Sequence, residues 1–143
     1  MNRRIVLLFA LLVIVIFATS PSTRGVQADA SMTAFWDKFK AAVINKDKTT
    51  VANLTQFPLG MPYMVKEVRN RAQLLRRYNE IFNGEADAAK CFQTAKLATE
   101  PAQPRNFYVT CPMKDGGPEE PIVFYFTRTR TSWKFDSLDN VNE

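Results

Sequence analysis

The sequence predicts an α+β domain in which N-terminal helices pack on a curved, mostly antiparallel four-stranded sheet, behind a cleaved leader. Three observations carry this reading. An unbroken apolar run, Ile5 to Ala18, follows Arg3 and Arg4. Between residues 31 and 84 the apolar side chains recur mainly at helical spacing. The last third is rich in aromatic residues in short runs parted by turn-forming residues.

The leader comes first. Fourteen apolar residues in a helix span about 21 Å, short of the roughly 30 Å hydrocarbon core of a bilayer. The chain turns polar at Ser20 to Arg24, and Ala28-Asp29-Ala30 fits the small-x-small rule for a leader peptidase. The segment 1–30 therefore reads as a signal peptide, with an uncleaved N-terminal anchor as the alternative, and 31–143 as one domain. Export makes the protein secreted or periplasmic, without a stable membrane span once the leader is gone. The leader takes Arg3, Arg4, Arg24 and Asp29 with it, so the net charge of +5 falls to +3. That mild excess does not argue for nucleic acid, which calls for a clustered basic face. The chain has no His and two Cys. This excludes His-based triads, His or four-Cys zinc sites, His-ligated haem and four-Cys iron–sulfur clusters.

Phe35, Trp36, Phe39, Ala42 and Val43 form one face of a helix expected over about residues 32–46, with Ser31 as its N-cap. Asp47 is expected to cap a short second helix that buries Val51 and Leu54. The stretch Phe57 to Val65 is extended and apolar, and Pro58 and Pro62 confine it to a sheet edge or an irregular crossing. Asn70 and Gln73 have the form of a capping box. The stripe Leu74, Leu75, Tyr78, Ile81 and Phe82 follows, and Gly84 stands where a C′ glycine ends a helix. Arg76 and Arg77 precede Glu80 at ion-pairing distance along that helix.

Two hairpins are expected beyond it. The first pairs residues 91–98 with 106–112 across the Pro101 turn. The second pairs 121–128 with 132–138. Antiparallel partners keep a constant index sum, and folding the first hairpin at Pro101 sets Cys91 opposite Cys111. Directly opposed positions lie within disulfide range, and an oxidising compartment would close the bond. A loop of this length gives about 3 kcal/mol in the chain-entropy description.

This order of elements resembles the nuclear transport factor two-like (cystatin-like cone) superfamily, in an exported bacterial form. The resemblance rests on Phe35-Trp36, Phe39, Ala42-Val43 and Asp47, on Leu54 and Phe57-Pro58-Leu59, and on Leu74-Leu75, Tyr78 and Ile81-Phe82. Ser132-Trp133-Lys134-Phe135 completes it. It implies a cone-shaped fold with a cavity between sheet and helices, and by itself no activity.

Trp36, Tyr63 and Tyr78 are the candidate ligand-binding residues, as aromatic walls of an apolar pocket; ordinary core packing is the plainer account of the same three. An isomerase-type site would need a carboxylate base near a hydroxyl donor. Asp37, Glu67 and Glu80 are the nearest acids in sequence, but none matches a catalytic pattern, so no catalytic residue and no metal ligand is assigned. Lys66, Arg69, Arg71, Arg76 and Arg77 form a basic run, read either as an anion-attracting patch or as a solvated helix face. Asn53-Leu54-Thr55 is a glycosylation sequon only in a eukaryotic pathway. The expected function is that of an exported non-catalytic binding or accessory module, needing no cofactor. It would recognise a protein partner or a small apolar ligand through the concave sheet or its rim. The alternatives are a small pocket enzyme of the isomerase or dehydratase type and a purely structural component. Pairing of two copies as a homodimer stays open.

Overall fold

A computed structural model describes residues 29–62, 67–116 and 121–140. Residues 1–28, most of the segment expected to be a signal peptide, lie outside the described residues, as do Tyr63 and Lys66. The described elements are α1 (Ala30–Ile44), α2 (Lys48–Asn53), β1 (Thr55–Gly60), α3 (Arg71–Asn83), α4 (Ala88–Cys91), β2 (Asn106–Pro112), β3 (Pro121–Arg128) and β4 (Trp133–Asn140). The four strands form one sheet in the order β1-β4-β3-β2. β2, β3 and β4 run antiparallel, and β1 lies parallel to β4 at the edge. This is the expected α+β class, with the Pro58-bearing strand at the edge.

Helix α1 starts earlier than its apolar stripe suggests. Its N-cap is Asp29, whose carboxylate accepts from the Ser31 backbone N–H at 2.6 Å. The Ser31 hydroxyl is engaged elsewhere, accepting from Trp133 Nε1 at 3.1 Å. Asp47 caps α2 as expected, accepting from the Thr50 N–H at 3.0 Å. In α3 the Gln73 N–H donates to Asn70 Oδ1 at 3.0 Å. The Gln73 side chain accepts from the Arg69 N–H rather than from that of Asn70. Gly84 ends α3, but not through a left-handed conformation, since its φ is −73°. Its role is steric: a Cβ there would stand 2.4 Å from the Glu80 carbonyl oxygen, which accepts the Gly84 N–H.

The first expected hairpin does not form. Ala88–Cys91 is a helical turn capped by Asp87, and residues 92–94 continue as a turn. What remains of the pairing is a single bridge, Ala98 to Tyr108. The physical reason is Phe92, which leaves α4 fully buried against Trp36, Phe39 and Phe124. A helical turn delivers that ring inward. Cys91 and Cys111 are nonetheless bonded, across a Cα–Cα distance of 5.7 Å, so the disulfide ties α4 to β2 rather than strand to strand. The second hairpin forms as expected and runs on to Asn140, with Asp136 unpaired at a bulge between the Phe135 and Ser137 pairs.

The core between helices and sheet is made of rings. Phe126, at the middle of the sheet, stacks on Phe107 at 4.5 Å and meets Phe39 edge-on at 5.0 Å. Phe39 in turn touches Phe35, Phe82, Phe92 and Phe135. Rings at such spacings are in van der Waals contact, and each fully buried one is worth about 2–3 kcal/mol. Gly84→Ala should destabilise the protein by about 2 kcal/mol, because the new methyl group presses on backbone that cannot swing aside. Urea unfolding measures it, and an unchanged midpoint would contradict the steric account.

Candidate functional site

The concave side of the sheet is occupied. Trp36 is 4% exposed and packs edge-on against Phe92, Phe107 and Phe126. Of the residues expected to line a pocket, Trp36 belongs to this ring cluster, Tyr63 lies outside the described residues, and only Tyr78 borders a cavity.

That cavity, about 370 Å³, lies where the end of α1 meets α3 and α4. Tyr78 and Phe82 form its apolar side. Lys46, Asn79, Asn83, Asp87, Lys90 and Gln93 supply ammonium, carboxamide and carboxylate groups. A second groove of about 600 Å³ lies on the other side of α4 and shares Asp87 and Lys90 with the first. Its floor is less polar, with Ala95, Pro112, Met113 and the Cys91 end of the disulfide, and Lys114 stands at its edge. Both are open grooves at the rim of the sheet. The Lys114 ammonium donates to the Asn83 backbone carbonyl and to Asn83 Oδ1 at 2.9 Å, which straps the end of β2 to the end of α3.

Two features of the first groove depart from the ordinary. Lys46 has φ 56°, the left-handed region that glycine favours. The backbone there closes α1 with the paired bonds of a Schellman motif, Asp47 N–H to Ala42 and Lys46 N–H to Val43. Tyr78 is 4% exposed, and its hydroxyl donates to the Val43 carbonyl at a long 3.4 Å, while the Lys48 ammonium lies 5.3 Å over its ring. Burial first, and the Asp47 carboxylate second, push the Tyr78 phenol up to about 12.

The acids considered as bases are engaged at the surface. Asp37 pairs with Lys40 at 3.3 Å, Glu67 with Arg69 at 3.3 Å and Glu80 with Arg77 at 2.7 Å. Asp136, whose carboxyl is held above its ordinary value by burial, sits at the β4 bulge and lines neither groove. The basic run is likewise divided: Arg69 and Arg77 face those carboxylates, and Arg71 donates to Asn53 Oδ1 at 3.4 Å. Asn53, the sequon residue, also accepts from Lys134 through its carbonyl. Among the described residues no group of three His, Cys, Asp or Glu side chains is placed to hold a metal ion. Across the two grooves the ammonium groups are those of Lys46, Lys90 and Lys114.

Lys46, Asn83, Lys90 and Lys114 escaped the sequence reading. Residues 91–98 look extended, which hides Lys90 in the sequence, although Asp87-Ala88-Ala89-Lys90 carries the signal of a helix start. Two outcomes follow. Lys46→Gly should raise stability by about 0.5–1 kcal/mol, read from chemical denaturation, because it relieves the left-handed conformation. For Tyr78 the sign is fixed by the raised folded value. Above pH 10 the unfolded chain releases this proton while the folded chain keeps it, so stability falls as pH climbs towards about 12. Tyr78→Phe should change stability near pH 7 by less than about 1 kcal/mol and should lessen the alkaline loss. Equal alkaline loss in both proteins would refute the assignment.

No family model matches the chain, and no curated protein matches it. Solved structures that it is similar to include a DUF4783 family protein from Bacteroides ovatus ATCC 8483, at 10% identity, covering 74% of this chain and 94% of that one, with a TM-score of 0.43. Another is the hexachlorocyclohexane dehydrochlorinase LinA-type3 from Novosphingobium barchaimii LL02, at 12% identity, 78% and 83% coverage and a TM-score of 0.43. A third is an NTF2-like protein with a cystatin-like fold from Novosphingobium aromaticivorans, at 11% identity, 77% and 78% coverage and a TM-score of 0.40.

Proposed function

We propose that the chain is an exported, disulfide-stapled binding module that takes its ligand at the rim of the sheet, in the paired grooves flanking α4. Export is supported by the leader-like first thirty residues and by the Cys91–Cys111 bond. No helix among the described residues is long and apolar enough to cross a membrane.

The observation that carries the binding reading is the junction at Asp87 and Lys90. There a groove floored by Ala95, Pro112 and Met113 runs into one edged by the ammonium groups of Lys46 and Lys90. An apolar floor beside fixed cations suits a small ligand with an apolar body and an anionic head, the apolar part supplying area and the head supplying orientation. The dense ring cluster on the concave face favours the rim over the interior.

Decanoate is a suitable probe, with binding followed by calorimetry. Lys90→Glu should weaken it about tenfold or more, the loss of one charge-assisted contact plus a new repulsion. Lys96→Glu, an exposed position outside both grooves, should leave it unchanged. Failure of decanoate to bind, or equal weakening by both variants, would overturn the reading.

A further inference from the structure

The sequence rule places the leader cut after Ala30, and the folded domain argues for a different bond. Asp29 is an integral part of the fold. Its side chain caps α1 by accepting from the Ser31 N–H at 2.6 Å, and its backbone carbonyl accepts from Met32 and Thr33 at 2.9 and 3.1 Å. Its second carboxylate oxygen pairs with Arg128 Nη1 at 2.5 Å, across 99 positions of sequence. Arg128 in turn lies over the Trp133 ring at 5.8 Å, and Trp133 Nε1 donates to the Ser31 hydroxyl. Asp29 therefore links the start of α1 to the β3–β4 hairpin.

A cut after Ala30 would remove all four of those acceptor contacts. It would also leave the Ser31 α-ammonium at the positive end of the shortened helix, the least favourable place for a cation. A cut two residues earlier keeps every contact. Val26-Gln27-Ala28 offers a peptidase a small residue next to the bond and a compact one two positions before it.

We infer that the exported protein is processed between Ala28 and Asp29, so that the mature chain begins with its own helix cap. The step is hydrolysis by the host's leader peptidase. Water adds across the Ala28–Asp29 amide, Ala28 leaves as a carboxylate, and Asp29 gains the proton and becomes the α-amine. The Asp29 side chain, held below the usual carboxylate range chiefly by the Ser31 hydrogen bonds, then offsets the new ammonium within the same residue.

This rests on the export reading, and one experiment separates the two. The full chain is expressed in a host with an export pathway, and the N-terminal peptide of the exported protein is sequenced by mass spectrometry. A chain beginning at Asp29 is the expected result. A chain beginning at Ser31, or at any other new terminus, overturns the inference and leaves export standing. A chain that stays inside the cell overturns export and this inference together, whereas an exported chain that keeps Met1 as an uncleaved anchor overturns this inference alone. Two further variants read the same bond. Ala28→Gln should block or displace the cut, whereas Ala30→Gln, at an exposed helix position, should leave it in place; the reverse pattern overturns the inference. Asp29→Ala in the full chain should lower the thermal midpoint of the mature protein by about 5 °C. If Asp29 were discarded in maturation, that variant and the parent would yield the same protein with the same midpoint.

Discussion

Phe126 is the residue on which the architecture turns. It stands in the middle of the sheet, stacked on Phe107 from the neighbouring strand and capped edge-on by Phe39 from α1. Offset-stacked and edge-on pairs are directional, so the contact fixes how α1 lies on the sheet as well as that it lies there. Once α1 is set, Phe39 presents its other sides to Phe82 of α3 and to Phe92 beyond α4. The remaining helices are thus placed by rings that already have one side filled. A core built this way gains stability from area and uniqueness from geometry. It also takes up the space that an open cone would offer a ligand.

How far local sequence governs the outcome can be judged from particular residues. The start, stripe and end of α3 are written within fifteen positions, Asn70 to Gly84: Asn70 caps the helix and Leu74, Tyr78, Ile81 and Phe82 are buried, although the Gln73 half of the capping box turns to Arg69 and Leu75 is only partly covered. The β3–β4 hairpin is as legible, because alternating aromatics beside a short polar turn have few other uses. Residues 91–98 are the failure. Their composition permits a strand, but the demand on Phe92 is set by Trp36 and Phe124, which lie far away in sequence. Tertiary packing overrode a weak local preference. The disulfide joins the expected pair, Cys91 and Cys111, although Cys91 belongs to a helical turn and not to a strand. A Cα separation of 5.7 Å satisfies the bond whether the partners come from two strands or from a helical turn and a strand.

Gly84 shows a further limit. A glycine after an apolar stripe announces a helix end, and the helix does end there. The sequence cannot say whether the glycine is needed for a left-handed φ or for room, and the two have different consequences. Here it is room, against the Glu80 carbonyl. Charge behaves similarly. Five basic residues around α3 suggest a field when counted along the chain. In space, Arg69 and Arg77 are matched to carboxylates, which offsets two of the five charges, and Arg71 is held by the neutral Asn53 amide.

The places where local rules break are not scattered. Lys46 occupies a backbone conformation that favours glycine, the segment through α4 folds against its apparent strand character, and Tyr78 keeps a buried hydroxyl on a long hydrogen bond. All three border the grooves around α4. Natural sequences are locally consistent over most of their length, and departures concentrate where something other than stability is being met. A strained lysine contributes nothing to the helix end that glycine would not supply at lower cost, but it does set an ammonium at the edge of a recess that also holds Lys90, Asn79 and Asn83. The coincidence of strain, unexpected local structure and convergent polar groups at one rim is the strongest physical argument for placing recognition there. The interior ring cluster, by contrast, is explained by packing alone.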